Sequence, residues 1–332
     1  MKIFIYNYRD FDEKPFFEKH CKEYGVEYEY TPEYPTLENI EENLRGKGYE
    51  ALSIIVSNMS APILEKLYDV GIRHISSRSV GVDHFDLQKA KELGMTISNT
   101  PYSPNSVANY AIMLMLMCCR SMKHIMDRNN VQDFSLKGKL GKELSISTVG
   151  VIGTGKVGST VVEHLSGFGC KIICYDIYQN DRVKEIAEYV DDINTIYREA
   201  DIITLHVPSL PENYHMIGKE QLDMMKDGVI LVNTARGDAF DTYALIEAIE
   251  SGKIHAAGLD VVENEHGLYY VDLMGKPLDK RELGLLRAFP NVIITPHTAF
   301  YTEQASSNMV ENSIKGLVCE LQGKENPFRI PL

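Results

Sequence analysis

The stretch Thr148-Val-Gly-Val-Ile152-Gly153-Thr154-Gly155-Lys156-Val157-Gly158-Ser-Thr-Val-Val-Glu-His-Leu165 decides how this chain folds. A short apolar run of strand character ends at Gly153, and a helical apolar pattern begins just after Gly158. Between them lies G-x-G-x-x-G. The first glycine permits a tight turn, the second lets backbone approach a diphosphate, and the third lets helix pack closely on strand; the diphosphate then meets the positive end of the helix. Alone, this spacing also occurs in ordinary loops. Here an acid closes the next strand: Asp176 ends Lys171-Ile-Ile-Cys-Tyr-Asp176, 18 residues after Gly158. A carboxylate there accepts hydrogen bonds from the adenosine ribose hydroxyls and repels a 2′-phosphate, so NAD is expected rather than NADP.

Outward from this motif, residues 148–152, 171–175, 202–207, 229–233, 256–262 and 292–295 read as strands separated by helical stretches such as 156–167 and 241–251. Six strands in that alternation make a full dinucleotide fold. Upstream, residues 1–8, 51–57, 74–77 and 96–98 read as strands and 13–24, 63–70 and 87–93 as helices, again βαβ units that imply a parallel sheet. The expected fold class is α/β with two Rossmann-like or flavodoxin-like domains. Residues 1–103 with 300–332 form the expected substrate domain and 104–299 the NAD-binding domain. A helical run over about 104–126 opens with Ser103 as expected N-cap and Pro104 in the first turn. Its apolar middle, 111–119, must be covered on every side, which suggests packing between domains or in a homodimer.

The chain has 332 residues, 44% hydrophobic and 24% charged, an ordinary globular composition too long for one core. With 34 basic and 47 acidic residues the net charge is −13, a field that repels nucleic acid and anionic membrane. The longest apolar run is half of the roughly 18 residues needed for a membrane span. Residues 1–6 read as a first strand rather than an export signal. Six cysteines without a C-x-x-C pair fit reduced core thiols, a cytoplasmic location and no metal site.

Three strand ends of the second half carry candidates for chemistry: Arg236 in Asn233-Thr234-Ala-Arg236-Gly237, Glu265 in Asp260-Val-Val-Glu-Asn-Glu265, and His297 in Thr295-Pro-His297-Thr. Ligands bind at such strand ends in open parallel sheets. An Arg fork suits bidentate capture of a carboxylate. Singly, each residue has an ordinary explanation as a solvated charge, a soluble acid or a packed histidine. Their combination is far less expected by chance.

These stretches resemble the D-isomer-specific 2-hydroxyacid dehydrogenases over essentially the whole chain. The carriers are the glycine motif with Asp176, the Arg236 and Glu265 segments, and Thr295-Pro-His297-Thr-Ala-Phe-Tyr301-Thr-Glu. Residues 265–270 and 276–279 are similar to an insertion of the D-lactate dehydrogenase branch. Ser77-Arg-Ser-Val80-Gly81 and Tyr102-Ser-Pro-Asn-Ser-Val-Ala resemble the D-lactate dehydrogenases of vancomycin-resistance clusters and clostridial relatives. The resemblance implies that Arg236 binds the substrate carboxylate and keto oxygen, that His297 is the acid/base, and that Glu265 holds and charges His297. It places the amides of Val80 and Gly81 on the carboxylate and has Tyr102 and Tyr301 border the pocket. It lines the cofactor with His206, Val207, Thr234 and Asp260, beside Gly153, Thr154, Gly155, Lys156, Val157, Gly158 and Asp176; for His206 and Asp260, strand-end packing or capping is the other reading. Val262 and Asn109-Tyr110 depart from family habit, away from the three catalytic positions. The implied activity is reduction of pyruvate to D-lactate by NADH. A bulkier acid such as 2-ketoisocaproate, phenylpyruvate or 2-oxoglutarate is the alternative substrate, and an NAD-sensing corepressor-like scaffold the alternative function.

Overall fold

The computed structural model describes residues 1–265 and 267–332, and the chain divides into two compact units. The first comprises Met1–Ser103 and Tyr301–Leu332. Its strands are β1 (Lys2–Ile5), β2 (Glu27–Tyr30), β3 (Ala51–Ile54), β4 (His74–Ser77) and β5 (Thr96–Ser98), paired in parallel in the order β2-β1-β3-β4-β5. That order is the flavodoxin-like doubly wound one. Helices α1 (Lys14–Tyr24), α2 (Leu37–Leu44), α3 (Ala61–Asp69) and α4 (Leu87–Glu92) connect the strands. Ile3, Phe4 and Ile5 are all buried, as a strand covered on both faces requires. β2 and α2 escape the sequence pattern because β2 is a polar, exposed edge strand.

The second unit, Pro104–Phe300, begins with α5 (Asn105–Cys119) and α6 (Met122–Asn130). Then follow β6 (Thr148–Ile152), α7 (Lys156–Ser166), β7 (Lys171–Tyr175), α8 (Asp181–Lys184), β8 (Glu188–Tyr189), α9 (Ile193–Glu199) and β9 (Ile202–Leu205). The unit closes with α10 (Lys219–Met224), β10 (Val229–Asn233), α11 (Thr242–Glu250), β11 (Ile254–Leu259), α12 (Arg281–Ala288) and β12 (Val292–Ile294). Its parallel sheet runs β12-β11-β10-β9-β6-β7-β8, so the winding reverses between β6 and β9, the switch point where such sheets take ligands. The last helix, α13 (Glu303–Leu321), packs on α1 and β4 of the first unit, and Ser313 Oγ meets Ser53 Oγ of β3 at 2.7 Å.

Several expectations need correction. The helical run over 104–126 breaks at Arg120–Ser121, where Ser121 turns left-handed (φ 49°), and Pro104 rather than Ser103 occupies the N-cap. The second sheet has seven strands instead of six, because the two-residue β8 is too short to leave a pattern. Phe300 groups with the second unit, since its ring lies against Tyr270 and His297. The apolar helix α5 packs on β10, β11 and α7 of its own unit, burying Ala108, Ala111, Leu114, Met115 and Cys118, and leaves Met113 and Leu116 exposed. Gly258 of β11 allows the approach, because a Cβ there would stand 3.0 Å from Leu114 Cβ. Truncating a buried leucine such as Leu114 to alanine costs about 2 to 5 kcal/mol. All six cysteines are free thiols, and among the described residues no helix is long and apolar enough to cross a membrane.

Candidate active site

The glycine loop is built as its spacing demands. Gly153 sits at φ +89°, and a Cβ there would lie 2.6 Å from His206 O at the end of β9. A Cβ on Gly158 would come within 1.9 Å of Gly153 O, so only glycine lets α7 start against the turn. Gly155 faces open space and caps α7 without a side-chain acceptor. The first helical amides, at Lys156 and Val157, therefore remain for an anion. Asp176 is aimed by the loop itself: its Oδ2 accepts from Thr154 N at 2.5 Å and Thr154 Oγ1 at 3.1 Å. Thr154 Oγ1 in turn meets Tyr189 OH at 2.6 Å, a second support that no motif announces.

Two buried polar atoms at neighbouring strand ends, His206 Nδ1 and Thr234 Oγ1, have no partner among the described residues. His206 bonds through Nε2 to Thr204 Oγ1 at 3.0 Å, and burial pushes its imidazole down to about 3, so the ring is neutral. Val207 lies beside Gly153. Unpaired polar atoms at the ends of β9 and β10, an open glycine and the Asp176 carboxylate together fit a dinucleotide such as NAD.

Arg236 follows β10 through a turn stapled by Asn233. The Asn233 amide donates to Arg236 O at 2.8 Å and its carbonyl accepts from Ala235 N at 2.9 Å. Gly237 then packs against the next loop so tightly that a Cβ would lie 2.1 Å from the Val262 carbonyl carbon. The loop bearing Arg236 and the loop leading to Glu265 are thereby locked together. Glu263 extends the lock, since its carboxylate accepts from Thr242 Oγ1 and pairs with His215 Nε2, both at 2.9 Å. Sequence spacing could not reveal that pair, which joins residues 48 apart.

His297 Nδ1 donates to Glu265 Oε1 at 2.5 Å, while Glu265 Oε2 accepts from Val262 N at 3.4 Å. With Nδ1 engaged, Nε2 is the nitrogen left to exchange a proton with a substrate, and it has no protein partner among the described residues. The two side chains are about a quarter to a third exposed, reachable by a small molecule. Asp260 shows the capping arrangement that was the other reading of this residue. Fully buried at the end of β11, it accepts from Thr295 Oγ1 at 2.6 Å, Thr298 N at 2.9 Å and Ala299 N at 2.8 Å. It caps the loop that carries His297. Tyr110 OH adds a contact to Thr298 Oγ1 at 3.1 Å.

In the first unit, a turn follows β4 at Ser79–Gly81. The carbonyls of Ser79, Val80 and Gly81 accept from Thr100 N, Asn99 Nδ2 and Ser79 Oγ, whereas no protein acceptor meets the amides of Val80 and Gly81 among the described residues. Arg78, wholly buried, anchors the turn through Glu13, Ser53 Oγ and the carbonyls of Tyr6 and Asn7. Tyr102 is the penultimate residue of the first segment of this unit, and Tyr301 begins the second beneath the Arg9 guanidinium.

Residues 112–299 match the family described as D-isomer specific 2-hydroxyacid dehydrogenase, NAD binding domain. The chain is 42% identical over 322 residues to an aromatic 2-oxoacid reductase of Clostridium sporogenes, covering 96% of this chain and 95% of that one. It is 41% identical over 317 residues to a D-lactate dehydrogenase of Lactiplantibacillus plantarum, covering 95% and 94%. A solved D-lactate dehydrogenase from Treponema pallidum superposes with a TM-score of 0.90 at 33% identity over 100% of both chains. The chain therefore belongs to the D-isomer-specific 2-hydroxyacid dehydrogenases, NAD-dependent oxidoreductases that interconvert 2-keto and 2-hydroxy acids.

Proposed function

We propose that this protein reduces pyruvate to D-lactate with His297 as general acid, Glu265 as the group that orients and charges it, and Arg236 as the substrate clamp. The reading is carried by the 2.5 Å contact between His297 Nδ1 and Glu265 Oε1, which leaves Nε2 to act. Nicotinamide, when bound, supplies the hydride. As the keto carbon is reduced, negative charge gathers on its oxygen, and a nearby cation with a proton donor lowers that barrier. His297 Nε2 delivers the proton to that oxygen, and Glu265 holds the ring through Nδ1. The Arg236 guanidinium polarises the carbonyl and holds the carboxylate by its fork. To Val80 and Gly81 we assign amide bonds to the same carboxylate, and to Tyr102 and Tyr301 the border of the pocket. To Gly153 through Gly158, Asp176, His206, Val207, Thr234 and Asp260 we assign the lining of the cofactor site.

The 42% identity to an aromatic 2-oxoacid reductase supports a second substrate reading, a bulkier 2-keto acid with unchanged chemistry. NADH oxidation measured side by side with pyruvate, 2-ketoisocaproate, phenylpyruvate and 2-oxoglutarate, with the lactate enantiomer identified, separates them. Highest kcat/KM on pyruvate with D-lactate formed supports the first reading, and preference for a larger acid the second. Absence of oxidation with all four refutes both and restores the scaffold. A homodimer is supported by the apolar side chains left exposed after α6, among them Phe134, Leu136, Leu140 and Ile146. A monomeric mass by light scattering would refute it. The free thiols support residence in the reducing cytoplasm.

A further inference from the structure

Left-handed backbone at residues other than glycine occurs at His297 and at Tyr270, which touches it. His297 itself lies at φ 53°, Tyr270 at 64°, Asn264 at 57° and His215 at 50°. Such conformations persist where the surroundings over-determine them. For His297 most of the determinants are already assigned: its N–H donates to Asp260 O at 2.8 Å and Thr295 O at 3.0 Å, and its ring is held by Glu265. The remaining handle on its main chain is the carbonyl, which accepts from Tyr270 OH at 2.8 Å. Tyr270 belongs to the insertion that precedes α12, a segment to which the reaction scheme gives no role.

We infer that Tyr270 is a positioning residue, whose hydroxyl fixes the His297 peptide and thereby the direction in which Nε2 presents its proton. The rings support the same alignment. Tyr270 lies 6.2 Å from the His297 imidazole and edge-on to Phe300 at 6.4 Å, while Phe300 stands edge-on to His297 at 6.5 Å. Glu265 fixes the imidazole at one end, and the carbonyl bond fixes the backbone from which it springs. Tyr270 is 55% exposed, so its ring contributes little to the core, and loss of its hydroxyl separates positioning from folding. Without that bond the carbonyl turns to water, the peptide plane between His297 and Thr298 keeps only its Thr298 N–H bond to Asp260, and Nε2 spends less time aligned with the keto oxygen.

The inference rests on His297 as the proton donor in 2-keto acid reduction. Tyr270→Phe keeps the ring and removes the donor. The measurements are kcat and KM with pyruvate, KM for NADH, the primary isotope effect on kcat with NADH deuterated at the transferred position, and Tm. Misplacement of the acid is expected to lower kcat about tenfold and to raise the isotope effect, with KM for NADH and Tm unchanged. A wild-type kcat and isotope effect in the variant overturn the inference. So does a loss of kcat accompanied by lower Tm and weaker NADH binding, which marks a merely structural role. A wild-type enzyme that oxidises NADH with none of the four acids refutes the proposed function instead, before the variant is assayed.

Discussion

Replacing Asp260 with asparagine tests whether this residue serves the His297 loop or the cofactor. In the native protein its two oxygens accept three donors, two of them main-chain amides, at 2.6 to 2.9 Å in a site closed to water. An asparagine has one acceptor oxygen and one NH2 group. If the oxygen serves Thr295 and Thr298, the NH2 confronts the Ala299 amide; if it serves Ala299, the NH2 confronts the Thr298 amide. Either way one buried N–H is left facing a donor, at about 1 to 3 kcal/mol, and the surviving bonds lose charge assistance. A total near 3 kcal/mol follows, or a drop in Tm of about 6 to 12 °C for a unit of roughly 200 residues. Because the freed loop carries His297, kcat should fall about 10²-fold, since small misplacements of reacting groups are that costly. Differential scanning calorimetry and steady-state kinetics on Asp260→Asn read both quantities. A Tm within 2 °C of wild type, with only KM for NADH raised, would refute the capping argument and return Asp260 to the cofactor.

Arg236→Lys keeps the charge and loses the fork, so kcat/KM for the keto acid should fall at least about 10²-fold while NADH titration by fluorescence is unchanged; wild-type kcat/KM would reject the clamp. Asp176→Ala removes the carboxylate held by Thr154 and should relax discrimination between NADH and NADPH, and an unchanged ratio of their kcat/KM values would place the ribose contact elsewhere. Burial holds the His206 imidazole down to about 3, so this ring is neutral in the folded chain where an unfolded histidine binds a proton. Its contribution is fully present above the unfolded value of about 6.5 and declines as pH falls toward the folded one, amounting to about 2 kcal/mol lost by pH 5. Urea unfolding of His206→Asn should therefore show a smaller stability loss between pH 7.5 and 5.0, and parallel losses in both proteins would sink the argument.

Sequence and structure divide the account according to the range of the interactions. The glycine turn was legible because its constraints are local: Gly153 must adopt positive φ, and no side chain fits on Gly158 against Gly153 O. Strand runs such as 229–233 could be read because a strand covered on both faces is continuously apolar. Arg236, Glu265 and His297 could be picked out as residue types at strand ends, and resemblance gave them roles. Other features depended on partners distant in the chain. Asp260 takes its three donors from residues 295–299, and α5 lies on β10 and β11, contacts that no local pattern displays. The left-handed carbonyl of His297 and the Tyr270 hydroxyl that meets it leave no periodicity or composition to read. By itself the sequence determined the βα alternation, the dinucleotide turn and the candidate residues at the strand ends, because these follow from steric limits and chemical identity at single positions. Only the tertiary structure decided that Asp260 caps the loop carrying His297 and that Glu263 pairs with His215, because hydrogen-bond allocation depends on angstrom-scale distances between loops that the chain keeps far apart.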